Sequence, residues 1–513
     1  MTNPVAAMKM LVTYAVCIPL AIFVGYLLTN PMDYGTLGFL AFVVAALMSP
    51  IFIKWHYPIL IFGLGCPIVL FFLPTRPPMW QAVVLISLSI AIVERTLSSG
   101  RRFFSVPAMT MPLMFLLATI VLTMELTGGI GFHQFGSSGG GGKKYVYCFT
   151  GIAIFYALVS RGIPTNQRNL YIFLYFFSAA LNIFGDIGPA LPQPLSYINL
   201  LIPPSSAFLQ SNVALGVTRF GLISSSCNAV LCWMLARYGI RGIFLSPALW
   251  RLPTFCLLMA AAQLGGFRSV LLSIIIIFVI LFFLERLHQT KLLFVFLLGG
   301  ALAIGLMVPL AGHLPKVMQR SLAFLPIANV DSEVRMDAEG SSEWRLKIWR
   351  DLLPQIPQYL LLGKGYSFSE SDFAYMGGGA FAGQANAASQ LDSTQQALAL
   401  SSDFHSGPLS TLIGFGIWGA IGMLWLMAAT LWLLYRNHRY GDPELQTINT
   451  FLFASCVTAI IIFFSIFGAF QNDIGYFAKL AGLSVALNWG VRQPQTKPVA
   501  VQRIKPLPQP QAA

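Results

Sequence analysis

The chain has 513 residues, of which 56% are hydrophobic and 10% are charged. A soluble globular domain carries charge on about a quarter of its residues, so this composition excludes a soluble globular protein. The formal net charge of +13 could suggest nucleic acid, but in a membrane protein the location of positive charges matters more than their sum. We therefore expect a chain surrounded by membrane lipids and without a nucleic acid partner.

Long apolar runs follow one another along the chain, and each approaches the roughly 20 helical residues needed to cross a hydrocarbon core. The alternating ten-residue segments of a β-barrel are absent. The runs predict an all-α polytopic membrane protein with about 12–14 transmembrane helices and one large periplasmic loop domain. The predicted spans are 10–28, 35–53, 58–73, 80–94, 107–126, 145–160, 169–186, 220–236, 252–264, 269–284, 292–311, 408–435, 449–468 and 474–490.

The distribution of Lys and Arg predicts the orientation. With the N-terminus in the cytoplasm, 18 of these cations lie on the cytoplasmic side and 5 lie in short outer loops and span tips, as the positive-inside rule requires. The run 10–28 is long and lacks the small-residue exit of a cleaved signal peptide, so we expect it to remain as the first span. Both termini are then cytoplasmic, and the long polar segment is periplasmic, in a bacterial inner membrane.

The same patterns divide the chain into five regions. We predict an N-terminal transmembrane bundle (1–264), a transmembrane hairpin (265–311), a periplasmic loop domain (312–406), C-terminal transmembrane helices (407–490) and a disordered cytoplasmic tail (491–513). Ten of the 18 acidic residues lie between Asp331 and Asp403. They give this segment a near-balanced, mixed-charge surface, which is typical of a small folded cap. All seven cysteines lie in or at the ends of apolar spans, which argues against a disulfide or a CxxC metal site.

The polar segment contains one predicted helix. Ser341 and Ser342 precede Glu343 and an apolar-spaced run, which predicts a helix start, and Pro354 limits the far end. An apolar stripe predicts that the helix lies on the membrane surface or packs over the bundle. The stripe consists of Trp344, Ile348, Trp349, Leu352 and Leu353.

Two glycine-rich stretches follow this helix. Gly363-Lys364-Gly365 predicts a tight turn, and Gly377 to Gly383 predicts a flexible loop. Such a loop could be a mobile lid over an active site or an ordinary connection, and the sequence favours the connection.

Basic and titratable residues border the polar segment. Arg268 follows a two-glycine turn at the outer end of span 269–284, where a guanidinium can also simply reach the interface. His405 precedes the span that begins at 408, and a histidine at a membrane edge is more often a surface residue. Ionisable groups within spans are rare unless they face a cavity or a partner. Further ionisable residues near the outer ends of the spans therefore predict a polar cavity that opens outward, which we call the polar mouth. These residues are Glu125, Asp186, Arg219 and Asp473, with Lys479 deeper.

The order of these residues over about 265–434 resembles the O-antigen ligase and O-antigen polymerase superfamily of bacterial envelope glycosyltransferases. In that family an Arg opens a span, an outer loop carries an R-x-x-x-W helix and a P-x-x-G-x-G turn, and an H-N motif enters the next span. Ser406 stands here in place of the Asn, and Gly414 stands where a carboxylate precedes the glycine. The matching residues are Arg268, Arg345, Trp349, Pro354 or Pro357, Gly363, Gly365, His405, Leu409, Leu412, Gly416 and Gly419.

The resemblance implies transfer of a glycan from an undecaprenyl-diphosphate carrier to an acceptor hydroxyl on lipid A core sugar, another glycan or a protein. These three acceptors share donor chemistry and stay open. Breaking the bond from sugar C1 to oxygen leaves a diphosphate, and arginine suits it because it stays charged and can hold two phosphate oxygens. The resemblance assigns this role to Arg268 and Arg345 as catalytic residues, with Arg219 as a weaker third.

The acceptor hydroxyl must also lose a proton, and an imidazole can accept one near neutral pH. His405 is the candidate base, Asp403 is expected to orient it, and Trp349 is expected to contact substrate. No metal and no other cofactor is expected, because arginines screen the diphosphate and the chain has no Asp-x-Asp motif. We predict a metal-independent, inverting glycosyltransferase of the ligase or polymerase type.

A flippase for lipid-linked glycans, or another multi-pass transporter, is the alternative. Transporters of this size usually keep their outer loops short and place broken helices near the midplane. Here the polar residues cluster at one predicted face beneath a long segment, which favours the enzyme.

Overall fold

The computed structural model describes residues 4–27, 29, 34–73, 76–97, 103–128, 141–209, 218–325, 327–366 and 404–494. Regular structure in these residues is helical, apart from one isolated antiparallel bridge between Val69 and Pro78. The prediction of an all-α polytopic membrane protein is confirmed. The predicted loop Gly377 to Gly383, Asp403 and the tail beyond 494 lie outside the described residues.

The described residues before 210 include eight α-helices. They are α1 (Pro4–Leu27), α2 (Tyr34–Gly63), α3 (Met79–Leu97), α4 (Pro107–Thr127), α5 (Gly141–Leu158), α6 (Arg168–Ala180), α7 (Ile183–Ile187) and α8 (Ile198–Leu201).

The second and third predicted spans agree with the structure in part. Helix α2 is two helices merged at a kink at Trp55, which lies between the predicted spans 35–53 and 58–73, but the helical structure ends at Gly63 and does not reach 73. Beyond Gly63 the chain is non-helical as far as residue 73. Pro67 lacks the backbone N–H that a continuing helix would need, so apolar composition alone does not extend the helix.

The described residues after 217 form ten further helices. They are α9 (Gly221–Phe244), α10 (Arg251–Ala261), α11 (Arg268–Leu284), α12 (Leu292–Leu310), α13 (Lys316–Leu322), α14 (Ser332–Leu352), α15 (Ile356–Tyr359), α16 (Gly407–Tyr440), α17 (Gln446–Ser465) and α18 (Phe470–Asn488).

Six helical segments of the described chain are long and apolar enough to cross a membrane, and a seventh is added if bent α2 counts as one span. Shorter helices such as α11, with 17 residues, do not meet the same length. The larger number of spans therefore stays a prediction. The six segments are Met79–Leu97, Pro107–Thr127, Thr165–Ala190, Leu292–His313, Gly407–Tyr440 and Pro443–Ser465.

The core lies where α5, α16 and α18 meet. Gly151 of α5 faces Gly475 of α18 so closely that a Cβ on Gly151 would lie 3.2 Å from the Gly475 Cα. Small residues allow this approach between membrane helices, whose association depends on close packing. Phe415, Phe470 and Phe477 are fully buried around the contact. This packing joins the C-terminal helices α16 and α18 to α5 of the N-terminal half.

Helix α14 lies over one end of the bundle, where α11 begins at Arg268 and α16 begins at Gly407; we call this the loop end. The prediction that α14 begins near Ser341 is wrong, because the helix begins at Ser332. Glu333 favours the earlier start as an acidic residue in the first turn. Ser342 is mid-helix, and its hydroxyl donates to the Ala338 carbonyl at 3.2 Å. The helix ends at Leu352, before Pro354, as predicted.

The turn at Gly363 and Gly365 docks into a break in α16. Lys364 N–H donates to the Ile413 carbonyl at 2.7 Å, and Gly365 N–H donates to the Gly414 carbonyl at 2.8 Å. The helix breaks at Gly416, whose φ is +61°. Because a Cβ on Gly363 would overlap the Gly414 carbonyl oxygen, the two segments can meet only with glycine at this point.

Candidate active site

Arg268 is fixed at the first position of α11 and reaches across to α14. Its Nη1 donates to the Ser342 hydroxyl at 3.0 Å, and its Nη2 donates to the Ala338 carbonyl at 3.0 Å. The guanidinium therefore links α11 to α14.

The two-glycine turn before α11 holds two further arginines. Arg219 Nε donates to the Gly265 carbonyl at 3.2 Å, and its guanidinium lies 4.7 Å from the centre of the Phe267 ring. Arg320 of α13 donates through Nη1 to the Gly266 carbonyl at 2.9 Å and pairs through Nε with Asp337 of α14. Consecutive carbonyls of one turn thus bring together arginines that are about a hundred residues apart in the chain.

Arg345 joins the same group from α14. Its Nε is buried and has no hydrogen-bond partner among the described residues. Burial, and then the positive charge of Arg320, lower the pKa of Arg345. The same two causes lower the pKa of Arg219 to about 10, against the opposing charge of Asp337. An unpaired, buried N–H of a charged group is costly, so the Nε of Arg345 favours an anion beside it.

We call Arg219, Arg268, Arg320 and Arg345 the arginine cluster. The charges of Arg320 and Arg345 repel that of Arg268, and Asp337 supplies the opposing negative charge. Asp337 offsets part of the charge of Arg219, Arg268 and Arg320, so positive charge predominates among the four guanidiniums. Such an excess matches an anion with several charged oxygens, because each guanidinium can hold two of them.

An open hollow of about 410 Å³ adjoins the cluster at Arg268. This volume is within the range of small-molecule sites. The hollow is lined by Arg268, Ala323, Phe324, Arg335, Ala338, Glu339, Ser342, Glu343 and Leu346.

His405 follows Phe404, which is hydrogen-bonded to the C-terminal part of α14, and it does not line this hollow. The preceding residue, Phe404, accepts a 2.9 Å hydrogen bond at its carbonyl from the Trp349 indole N–H. Trp349 lies one turn beyond Arg345, as predicted, which places the His405 segment about one turn from the cluster. The His405 ring packs edge-on against Phe467, with centroids 5.2 Å apart. Trp349 thus positions this segment, and its contact with substrate stays a prediction.

Ser406, which departs from the family pattern, begins α16. Its side chain accepts a hydrogen bond from the Leu409 N–H, and Pro408 occupies the first turn. Asparagine and serine are equally good residues for this position. Serine in place of asparagine at 406 therefore preserves the start of the helix that follows His405.

The other polar residues predicted at this end have different roles. Asp186 is buried and accepts hydrogen bonds from the Leu222 N–H at 2.6 Å and the Ser205 hydroxyl at 3.0 Å, so it fixes the start of α9 beside Arg219. Asp473 accepts from the Ala469 N–H at 2.8 Å at the start of α18. Lys479 lies over the rings of Tyr175 and Tyr476. Of the predicted polar mouth, Arg219 is the member that reaches the arginine cluster.

Arg320 and Asp337 were not foreseen from the sequence. They pair across 17 residues that include a helix end and an irregular loop. Neither helical nor strand spacing relates two such positions, so no local signal identifies them.

Across the described ranges, no group of three or more His, Cys, Asp or Glu side chains is arranged to hold a metal ion. The seven cysteines are free thiols.

A protein-family model described as O-antigen ligase matches residues 252–424. Residues 252–424 are similar to the O-antigen ligase family. The matched region begins in α10 and ends in α16, so it contains Arg268, Arg320, Arg345 and His405, whereas Arg219 precedes it. A comparison with curated proteins gives no match.

The match to the O-antigen ligase family supports placement in the O-antigen ligase and polymerase superfamily. At the level of that family it supports a glycosyltransferase-like enzyme that acts on lipid-linked glycan and acceptor substrates. Together with the apolar helices, it supports a multi-pass membrane protein of polysaccharide biosynthesis.

Proposed function

We propose that this protein moves a glycan from an undecaprenyl-diphosphate carrier to an acceptor hydroxyl at the periplasmic face of the inner membrane. The observation that carries the proposal is the arginine cluster, with its excess positive charge and the buried, unpartnered Nε of Arg345. A diphosphate that gains negative charge as its bond to sugar C1 breaks is the anion that such a site stabilises.

The proposed reaction is a single displacement. The acceptor oxygen attacks C1, the bond from C1 to the diphosphate oxygen breaks with its electron pair on the diphosphate, and the configuration at C1 inverts. His405 takes the acceptor proton, with Asp403 orienting the imidazole. Arg268 and Arg345 hold the diphosphate, and Arg219 and Arg320 add to the field around it. The fixed guanidiniums supply the charge stabilisation, so the reaction is expected to proceed without a metal ion.

The proposal is tested with purified protein in liposomes. The donor is lipid-linked glycan, and the acceptor is lipopolysaccharide purified from a strain in which this protein has been deleted. We expect a new glycosidic bond in the presence of EDTA. Arg268→Ala, Arg345→Ala and His405→Ala should each lose transfer at unchanged protein abundance. The matched control is Arg350→Ala, an exposed arginine in the last turn of α14, which should retain transfer.

Two results would contradict the proposal. Turnover that requires Mg²⁺ would overturn the metal-free reaction. Movement of the lipid-linked glycan across the bilayer without a new glycosidic bond would instead identify a transporter.

A further inference from the structure

Helix α14 presents two different neighbouring faces at the loop end. At about 100° per residue, Ala338, Ser342 and Arg345 fall within roughly 60° of one another on the face that meets the arginine cluster. Glu339 and Glu343 are centred roughly 100° around the helix and line the hollow. The two faces meet at Arg268, which donates to Ala338 and Ser342, because all three of these residues also line the hollow.

The wall of the hollow differs from the cluster in its chemistry. The side chains of Glu339 and Glu343 are exposed and form no ion pair or hydrogen bond within the described part of the chain. Arg335, which lines the same hollow, donates to the Ala328 carbonyl at 2.8 Å. Arg268 and Arg335 balance the two carboxylates on this wall, so the hollow offers an anion no excess of positive charge, unlike the cluster.

Carboxylates, a serine hydroxyl and an exposed ring are groups that recognise a sugar. Ionised carboxylates accept strong hydrogen bonds from hydroxyl donors. The Ser342 hydroxyl donates to the Ala338 carbonyl and accepts from Arg268, so it can only accept a further hydrogen bond. The Phe324 ring, which is 46% exposed, offers an apolar surface to the carbon face of a pyranose. The hollow therefore fits a neutral, hydroxyl-rich ligand.

We propose that the hollow is the acceptor-sugar subsite, where Glu339 and Glu343 bind hydroxyls of a neutral sugar; this inference rests on the proposed glycan transfer. In an inverting displacement the acceptor approaches C1 from the side opposite to the departing diphosphate. Because His405 is not in the hollow, the subsite holds a sugar of the acceptor next to the one that attacks, with Arg268 at the border between the subsite and the cluster. The open side of the hollow admits an acceptor while the donor is bound.

The test separates acceptor binding from donor binding in the liposome assay. Wild type, Glu339→Gln, Glu343→Gln and the double variant are titrated with the lipopolysaccharide fraction, and undecaprenyl diphosphate binding is measured on the same preparations. Each single variant should raise the apparent KM for acceptor roughly tenfold, the effect of losing a hydrogen bond to a charged group. The Kd for undecaprenyl diphosphate should change less than about twofold, because neither carboxylate faces the cluster.

Glu333→Gln is the matched control, because Glu333 is on the same helix but pairs with Lys316 away from the hollow. An acceptor KM unchanged in the double variant, or a loss confined to donor binding, would overturn the subsite. If wild-type protein neither binds undecaprenyl diphosphate nor forms a glycosidic bond, the proposed function itself fails, which is a different result from failure of the subsite alone.

Discussion

Arg345 shows most directly how a single residue connects burial to function. The motif around it was readable from the sequence, since Arg345 and Trp349 are four residues apart and share one side of a helix. Its surroundings were not readable, because Arg320 comes from a separate helix and Asp337 is engaged by that second arginine. Spacing can place a charge on a helix face, but tertiary contacts decide which other charges meet it.

His405 has an unusual backbone for its residue type. Its φ is +50°, in the left-handed region that glycine adopts without penalty and other residues adopt at a cost. An unfavourable conformation at a candidate catalytic position suggests that the side chain is retained for its chemistry.

His405→Gly should separate the backbone from the imidazole. His405→Ala is the reference, because both variants lose the ring contact with Phe467 and only glycine relieves the backbone strain. His405→Gly should therefore match or exceed His405→Ala in thermal stability in detergent. Because the imidazole is lost, neither variant should transfer glycan. Both properties are measured on the same preparations, by thermal unfolding and by the liposome assay. Retained transfer would remove His405 as the base, and an unfolding temperature of His405→Gly below that of His405→Ala would contradict the account of strain.

At the scale of elements, the loop end depends on how helices begin and break. The end of α14 before Pro354 followed from the sequence, because proline cannot continue a helix. Its start did not follow, because two serines before an acidic residue looked like a cap but are mid-helix. The pairing of the Gly363 turn with the break in α16 involves residues about fifty positions apart, beyond the reach of local propensity.

Gly363→Ala should destabilise this contact. Gly363 has a φ of +74°, and an added Cβ would overlap the Gly414 carbonyl oxygen. We expect a loss of about 1–3 kcal/mol, since both backbone strain and steric overlap oppose the substitution. The measurement is the thermal unfolding of purified protein in detergent.

Gly340→Ala provides the control for that substitution. Gly340 lies inside α14, and nothing lies within 4 Å of a Cβ placed there. Alanine should be neutral or stabilising by up to about 1 kcal/mol, because it favours the helix. Equal effects of the two substitutions would show that the Gly363 turn does not depend on glycine.

At the scale of the whole molecule, the two ends of the bundle are built differently. At the loop end, arginines face one another and α14. At the other end, Glu285 accepts hydrogen bonds from the backbone N–H groups of Ile240 and Arg241, at a break in α9. Composition was sufficient to predict a helical membrane protein, because apolar length is a local property. It could not predict that residues 64–73 leave the helix, since they are apolar in either conformation.

The predicted orientation can be measured by cysteine labelling in whole cells. Lys347→Cys on α14 and Arg439→Cys at the far end of α16 are each placed in a chain without its seven native cysteines. A membrane-impermeant maleimide should label the Lys347→Cys variant in intact cells with a permeable outer membrane. It should label the Arg439→Cys variant only after lysis. The reverse pattern would place the arginine cluster in the cytoplasm.

The central claim is that the arginine cluster binds the diphosphate of the donor. It is tested most directly by the Kd of detergent-solubilised protein for undecaprenyl diphosphate, which does not depend on the acceptor. Arg345→Ala and Arg268→Ala should each weaken binding at least about tenfold, as expected for loss of a charged hydrogen-bonding partner, whereas His405→Ala and Arg350→Ala should not. Binding of equal strength in Arg345→Ala, Arg268→Ala and wild-type protein would contradict the account.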